Sequence, residues 1–177
     1  AAADPSMSAT GVTGWSALGE DVRITEHERA YALGRARTHA TADDREQLEV
    51  VPTHWVVRAR DGQIDCDDPV GQVGNHLTCH ALRVTSRRGL TAEYRALCDE
   101  LGIHLEGLIP QPVALYRGIS GRMHRGGTQL VIDLGARHTT MIVRRKGRLL
   151  HLETHPFGGD TVTDRIAIAL GVDQLRA

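Results

Sequence analysis

Apolar and polar positions along the chain fall into two stretches separated by turn residues. In the first, residues 19–125, Ala30, Leu33, Ala36 and Ala40 recur at helical spacing. Thr25-Glu26-His27-Glu28 opens that helix in the form of a capping box. Gly34 weakens it slightly. Leu48–Val57 is β-rich, and Pro52 within it predicts an edge or a bulge. Asp61-Gly62 and Asp68-Pro69-Val70-Gly71 are breaks, and His76–Thr85 reads as a strand. A second helix runs from Thr91 to Leu101, with Tyr94, Leu97, Cys98 and Leu101 as its apolar stripe and Gly102 as its stop. Ile103–Ile109 reads as a short strand, broken by Pro110 and Pro112, with a helix following to Ser120. Strands with helices gathered on one face predict an α+β sandwich.

The second stretch, residues 126–177, reads as three strands and a helix. Leu130–Gly135 is an apolar run ending in Asp133, Leu134 and Gly135. Thr139–Arg145 is a strand, Lys146-Gly147 a hairpin turn, and Arg148–Pro156 the return. Gly158-Gly159-Asp160 precedes a helix with Asp160 as its expected N-cap and Ile166, Ala167 and Leu170 as its apolar face. So small a unit buries too little surface to stand alone and is expected to lean on the first stretch or on further sequence. Residues 1–18, rich in Ala, Gly, Ser and Thr, read as a frayed tail or as a strand continuing from something upstream. The absence of Met at position 1 suggests a fragment or a processed form.

Composition changes this picture little. Twenty-one Lys and Arg against 22 Asp and Glu give a net charge of −1, which offers no electrostatic case for a nucleic-acid partner. Aromatic residues are 3%, so the core is expected from Val, Ile, Leu and Ala. No apolar run approaches the roughly 18 residues of a membrane span, and Ala1–Ser8 has no signal-peptide pattern. Three widely spaced cysteines, Cys66, Cys79 and Cys98, suggest a reducing compartment.

The stretch from Val131 to Gly171 resembles the second phosphate-loop region of the actin-like ATPases, where a glycine-rich turn joining two strands approaches nucleotide phosphates. Upstream, Val50-Val51-Pro52, Asp68-Pro69-Val70-Gly71, the His76–Ser86 strand, Leu101-Gly102-Ile103 and Ile109-Pro110-Gln111-Pro112 follow one another as in FtsA, the bacterial cell-division actin homologue. The resemblance implies an inserted SHS2-like 1C subdomain at 19–125 and the end of subdomain 1A, or a linker, at 1–18. It implies a partial actin-like (ribonuclease H-like) unit at 126–177. It further implies a scaffold that binds ATP with Mg²⁺, has at most weak ATPase activity, and polymerises on itself. Such a scaffold links FtsZ filaments to the inner face of the cell membrane, meets late divisome proteins, and is cytoplasmic. Membrane attachment would need a terminal amphipathic helix, and nucleotide closure a first phosphate loop, which these residues do not supply.

By that resemblance the cofactor-binding candidates are Asp133, Gly135, Arg137 and Thr139. Asp133 is suited to hold Mg²⁺ through water, and Arg137 to meet a phosphate with its fork of donors. The turn departs from the family: Ala136 and Arg137 stand for two glycines, His138 for a threonine and Thr140 for an aspartate. Glycine matters there because a Cβ keeps backbone N–H groups from phosphate oxygens. Other chemistry is weaker. Cys79 and His80, adjacent on a strand, point to opposite faces, against a metal site with His76. Arg144-Arg145-Lys146-Gly147-Arg148 reads as a solvated hairpin tip. Two alternatives remain open: a PilM-like pilus-assembly scaffold with an inserted subdomain at the same place, and a sugar-kinase-type phosphotransferase, which needs a catalytic Asp.

Overall fold

The computed structural model describes residue 2, residues 4–121 and residues 126–173. The expected boundary at 125/126 borders residues 122–125, which lie outside the described residues. Among the described residues seven strands form one sheet in the order β3-β2-β4-β1-β7-β6-β5. They are β1 (Ser8–Arg23), β2 (Arg45–Ala59), β3 (Gly62–Cys66), β4 (Val73–Arg87), β5 (Thr128–Leu134), β6 (Thr139–Arg145) and β7 (Arg148–His155). The helices are α1 (Glu26–Arg37), α2 (Leu90–Glu100), α3 (Gln111–Ser120) and α4 (Gly159–Leu170).

The boundary expected at 18/19 falls inside β1, a 16-residue strand paired with β4 from Ser8 to Ala17 and again at Val22 and Arg23. Its burial alternates, with Val12, Gly14 and Ser16 inward and Gly11, Thr13, Trp15 and Ala17 outward. The inward residues are small because α1 lies directly over them. A Cβ on Gly14 would collide with the Ala32 carbonyl oxygen and the Ala36 amide nitrogen. This approach also corrects the predicted helix face: Ala32 and Ala36 are the buried residues of α1, while Ala30 is exposed and Ala40 lies past the helix end.

The capping box at the start of α1 is complete. Thr25 Oγ1 accepts from the His27 amide at 3.1 Å, and Glu28 Oε2 accepts from the Thr25 amide at 2.8 Å. β2 carries the expected irregularity at proline, a register shift between Pro52 and His54. Asp61-Gly62 closes a β2–β3 hairpin, with Gly62 at φ 145°. Beneath α1, Val12, Val50, Trp55, Val57, Leu77 and Cys79 form the first core.

Two predictions fail between the halves. Ile103–Ile109 is irregular rather than a strand. Its end is tied down by the Ala2 amide on the Ile109 carbonyl at 2.9 Å. An apolar run with no sheet edge to pair with has no means of becoming a strand. In α2 the expected stripe faces outward at Leu97 and Leu101, and Leu90 is the buried residue, packed with Ala2 and Met7.

The second stretch leans on the first, as its size requires. β7 meets β1 in register only at Ser8 and Glu153. Side chains make the larger join. Val51, Leu82 and Val84 from β2 and β4 share a core with Ile142, Leu149 and Leu152 of β6 and β7 and Val113 of α3. The first sheet half is therefore covered by α1 on one face and, around Val51, Leu82 and Val84, by the β6–β7 hairpin with α3 on the other. The outer side of the second half is bare: Leu130, Ile132, Leu134, Ile168 and Leu170 are exposed.

Candidate functional site

The turn between β5 and β6 is built by hydrogen bonds within itself and with the start of α4. The Gly135 amide donates to the His138 carbonyl at 3.0 Å. The Gly135 and Ala136 carbonyls accept from the Gly159 and Asp160 amides at 3.0 and 2.8 Å. Thr139 Oγ1 donates to the Phe157 carbonyl at 2.7 Å. These bonds satisfy two of the otherwise orphaned amides at the N-terminus of α4. The N-cap is Gly158, not Asp160 as the sequence predicts, and the reason is steric. A Cβ at 158 would sit 2.5 Å from the Gly135 carbonyl oxygen, so only glycine lets the two turns meet.

The four expected site residues lie on this one turn but differ in character. The backbone of Gly135 and the hydroxyl proton of Thr139 are committed to shaping it. Asp133 is half-buried, and its Oδ2 accepts from Gln111 Nε2 at 3.2 Å. Arg137 is exposed and reaches Asp160 Oδ2 at 3.5 Å. It borders an open cleft of about 370 Å³, together with Asp160, Thr161 and Asp164. Asp133 and Arg137 are the charged side chains of the four, while the turn's backbone is held by internal bonds. Sequence reasoning missed two supporting residues, Gln111 and Gly158. Gln111 was within reach, because it stands in the Ile109–Pro112 motif at the start of α3.

The histidine-rich strand does not converge on a metal. Cys79 is buried beneath α1, where burial pushes its thiol up to about 12. His80, on the other face, stacks on His54 with ring centroids 4.3 Å apart. Burial and the neighbouring His80 both hold His54 below its ordinary value. Among the described residues no group of three His, Cys, Asp or Glu side chains is placed to share a metal. None of the described helices is long and apolar enough to cross a membrane.

The basic hairpin is not a uniformly solvated tip. Arg145 and Lys146 are exposed. Arg148 pairs with Asp65 at 2.7 Å and Asp67 at 2.9 Å. Arg144 is only 2% exposed. Strand alternation in β6 explains this, since Thr140, Ile142 and Arg144 share the inward face.

Comparison with known proteins accounts for this arrangement. A family model described as the SHS2 domain inserted in FtsA matches residues 6–85. The cell division protein FtsA of Streptococcus pneumoniae is 29% identical over 147 residues, 83% of this chain and 32% of that protein. FtsA of Enterococcus hirae is 25% identical over 152 residues, 86% of this chain and 34% of that protein. The chain thus spans about a third of the length of these relatives. Among solved structures, a PilM–PilN type IV pilus biogenesis complex superposes with a TM-score of 0.57 at 16% identity, covering 96% of this chain and 46% of that one. This last likeness is one of fold. Residues 6–85 are an SHS2 domain of the FtsA type, and the chain is FtsA-like along most of its length.

Proposed function

We propose that the chain is the SHS2-bearing part of a cell-division scaffold of the FtsA type, one that polymerises and links FtsZ filaments to the inner face of the membrane. The observation that carries this reading is the FtsA-type SHS2 domain at 6–85, joined through a shared core to the β5–β6 turn unit. A PilM-type pilus scaffold has only the likeness of fold in its favour. The test uses the complete reading frame that contains these residues, fused to a fluorescent protein. The fusion is expected at the division site, and depletion of FtsZ should disperse it. A diffuse signal with FtsZ rings intact would sink the proposal.

The same reading includes a nucleotide. Asp133 would hold Mg²⁺ through water, and Arg137 would meet a phosphate of ATP, while Gly135 and Thr139 keep the turn in shape. The expected result is Mg²⁺-dependent binding of a fluorescent ATP analogue by the complete protein. Asp133→Asn should weaken it about tenfold, the order expected from loss of a charge that orients a metal's water shell. Binding unchanged by Asp133→Asn would remove the turn from the nucleotide site while leaving the scaffold reading intact.

A further inference from the structure

Arg144 heads the fully buried side chains of the molecule ranked by size. A guanidinium cannot lose its proton inside a protein, so its charge is buried with it. Its Nε and Nη1 are out of contact with water and have no hydrogen-bond partner. No ion pair reaches it from any described residue. A buried charge in this state is costly, and folded proteins normally pair it.

Arg144 lines a cavity of about 220 Å³, bounded by Thr53 of β2, Tyr116 and Ser120 of α3, and the β6–β7 hairpin with Lys146 and Arg148. Asp67 also borders it, but its Oδ1 is already taken by Arg148 at 2.9 Å. The other carboxylate nearby, Asp65, is taken by the same arginine. Among the described residues neither Arg144 nor Lys146 has an ion pair, although two carboxylates on the one Arg148 guanidinium leave a negative charge over at that side of the cavity. The three hydroxyls in the wall have their protons on backbone carbonyls: Thr53 on His80, Tyr116 on Gly147 and Ser120 on Tyr116. They line the space with polar oxygen and bring no charge.

We propose that this cavity is a binding site for one small tetrahedral oxyanion of the phosphate or sulfate class, held by Arg144 and Lys146. A delocalised guanidinium with donors in one plane, next to a mobile ammonium, suits an anion with several oxygens better than a lone carboxylate. The cavity has the volume for such an ion and lacks the breadth for a nucleotide. It lies between β2 of the SHS2 domain and the hairpin of the second unit. A bound ion would therefore tie the two halves together where the sheet itself joins them at a single register pair. This site is separate from the β5–β6 turn and does not depend on the proposed nucleotide.

Thermal unfolding of the full chain tests the proposal, in phosphate, sulfate or acetate brought to one ionic strength with sodium chloride. Binding to the native state alone gives a saturable rise in Tm with ligand concentration. Phosphate and sulfate should produce it. Arg144→Met should abolish it, and Arg145→Met, one residue along on the exposed side, should preserve it. Arg144→Met should also be no less stable than the parent without phosphate, since it removes an unpaired charge and keeps most of the volume. Should that variant fail to fold, broadening of the phosphorus resonance of inorganic phosphate by the parent chain decides. Lys146→Gln should then raise the half-saturating phosphate concentration about threefold, in line with losing one charged donor of a pair. No saturable response in the parent, or an equal response in Arg144→Met, would overturn the proposal. So would acetate acting as well as phosphate, which would make the occupant a carboxylate.

Discussion

The two halves of the molecule solve the same packing problem differently. In the SHS2 half α1 covers one face of the sheet, and the β6–β7 hairpin with α3 covers the other around Val51, Leu82 and Val84, leaving Trp15 half exposed. In the second half only the inner face is covered. Ile142, Leu149 and Leu152 are buried, whereas Leu134 of β5 is 70% exposed and Ile168 of α4 is 78% exposed. Apolar residues thus stand exposed along an edge strand and a helix, the kind of patch that marks contact surfaces in folded proteins. The SHS2 half carries its own core, and the second half shares one and offers another.

The largest test of that contrast is Gly14→Val. The Cβ would enter the backbone of α1 at Ala32 and Ala36 and lift the helix from the sheet. A loss of about 4 kcal/mol or more is expected, or no folding at all. Gly11→Val lies on the same strand with open space around it and should change stability by less than about 0.5 kcal/mol. Urea unfolding of the two variants reads the difference. Equal stabilities would mean that α1 is not seated as described.

Next in size is a pair within the second half. Ile142→Ala opens a cavity in the shared core and should cost about 2–4 kcal/mol. Ile132→Ala removes a side chain that is 52% exposed, and should cost less than about 0.5 kcal/mol in this chain. In the complete protein the second value should grow if the outer face of β5 is covered there. An Ile132→Ala cost that stays small in both settings would show that nothing covers this face.

These contrasts also explain which parts of the fold could be read from the sequence. The β6–β7 hairpin was legible because Lys146-Gly147 takes the positive φ values, 51° and 85°, that such a turn needs. The capping box of α1 was legible because it is a local device. β1 was legible only as one of two alternatives, a strand or a frayed tail, because the close approach of α1 selects Gly14 and Ser16 where a strand normally shows large apolar residues. The inward residues of α2 and α4 were only partly legible for the opposite reason: Ala167 is buried as expected, whereas Leu97, Leu101, Ile166 and Leu170 are exposed. Each helix has apolar side chains on more than one side, and only tertiary contact decides which turn inward. At the site, Asp133, Gly135 and Thr139 were visible as a turn, but Gly158 earned its role from a contact with residues more than twenty positions earlier. Arg144 looked like its solvated neighbours because composition does not register the strand alternation that sends it inward.

The smallest expected effect concerns the two helix starts. α1 begins with a side-chain cap, whereas α4 begins at Gly158 with its amides held by the carbonyls of a distant turn. Thr25→Ala should therefore cost about 1 kcal/mol. Thr161→Ala should cost less, because Thr161 Oγ1 makes only a 3.4 Å contact with the Gly158 amide. The α1 cap also carries a pH signature. Bonds from the Thr25 hydroxyl and amide hold the Glu28 carboxyl below its ordinary value. Its contribution is then complete above the unfolded-state pKa of a glutamate and is lost as pH falls through the lower, folded value. Glu28→Gln should flatten the acid limb of the stability curve, and Thr25→Ala should flatten it less, since it removes the hydroxyl bond and leaves the amide of residue 25 donating to Glu28. Thr161→Ala should leave that limb unaltered. An acid limb that is the same in all three variants would show that the cap is not linked to pH, and that the two helix starts differ only in geometry.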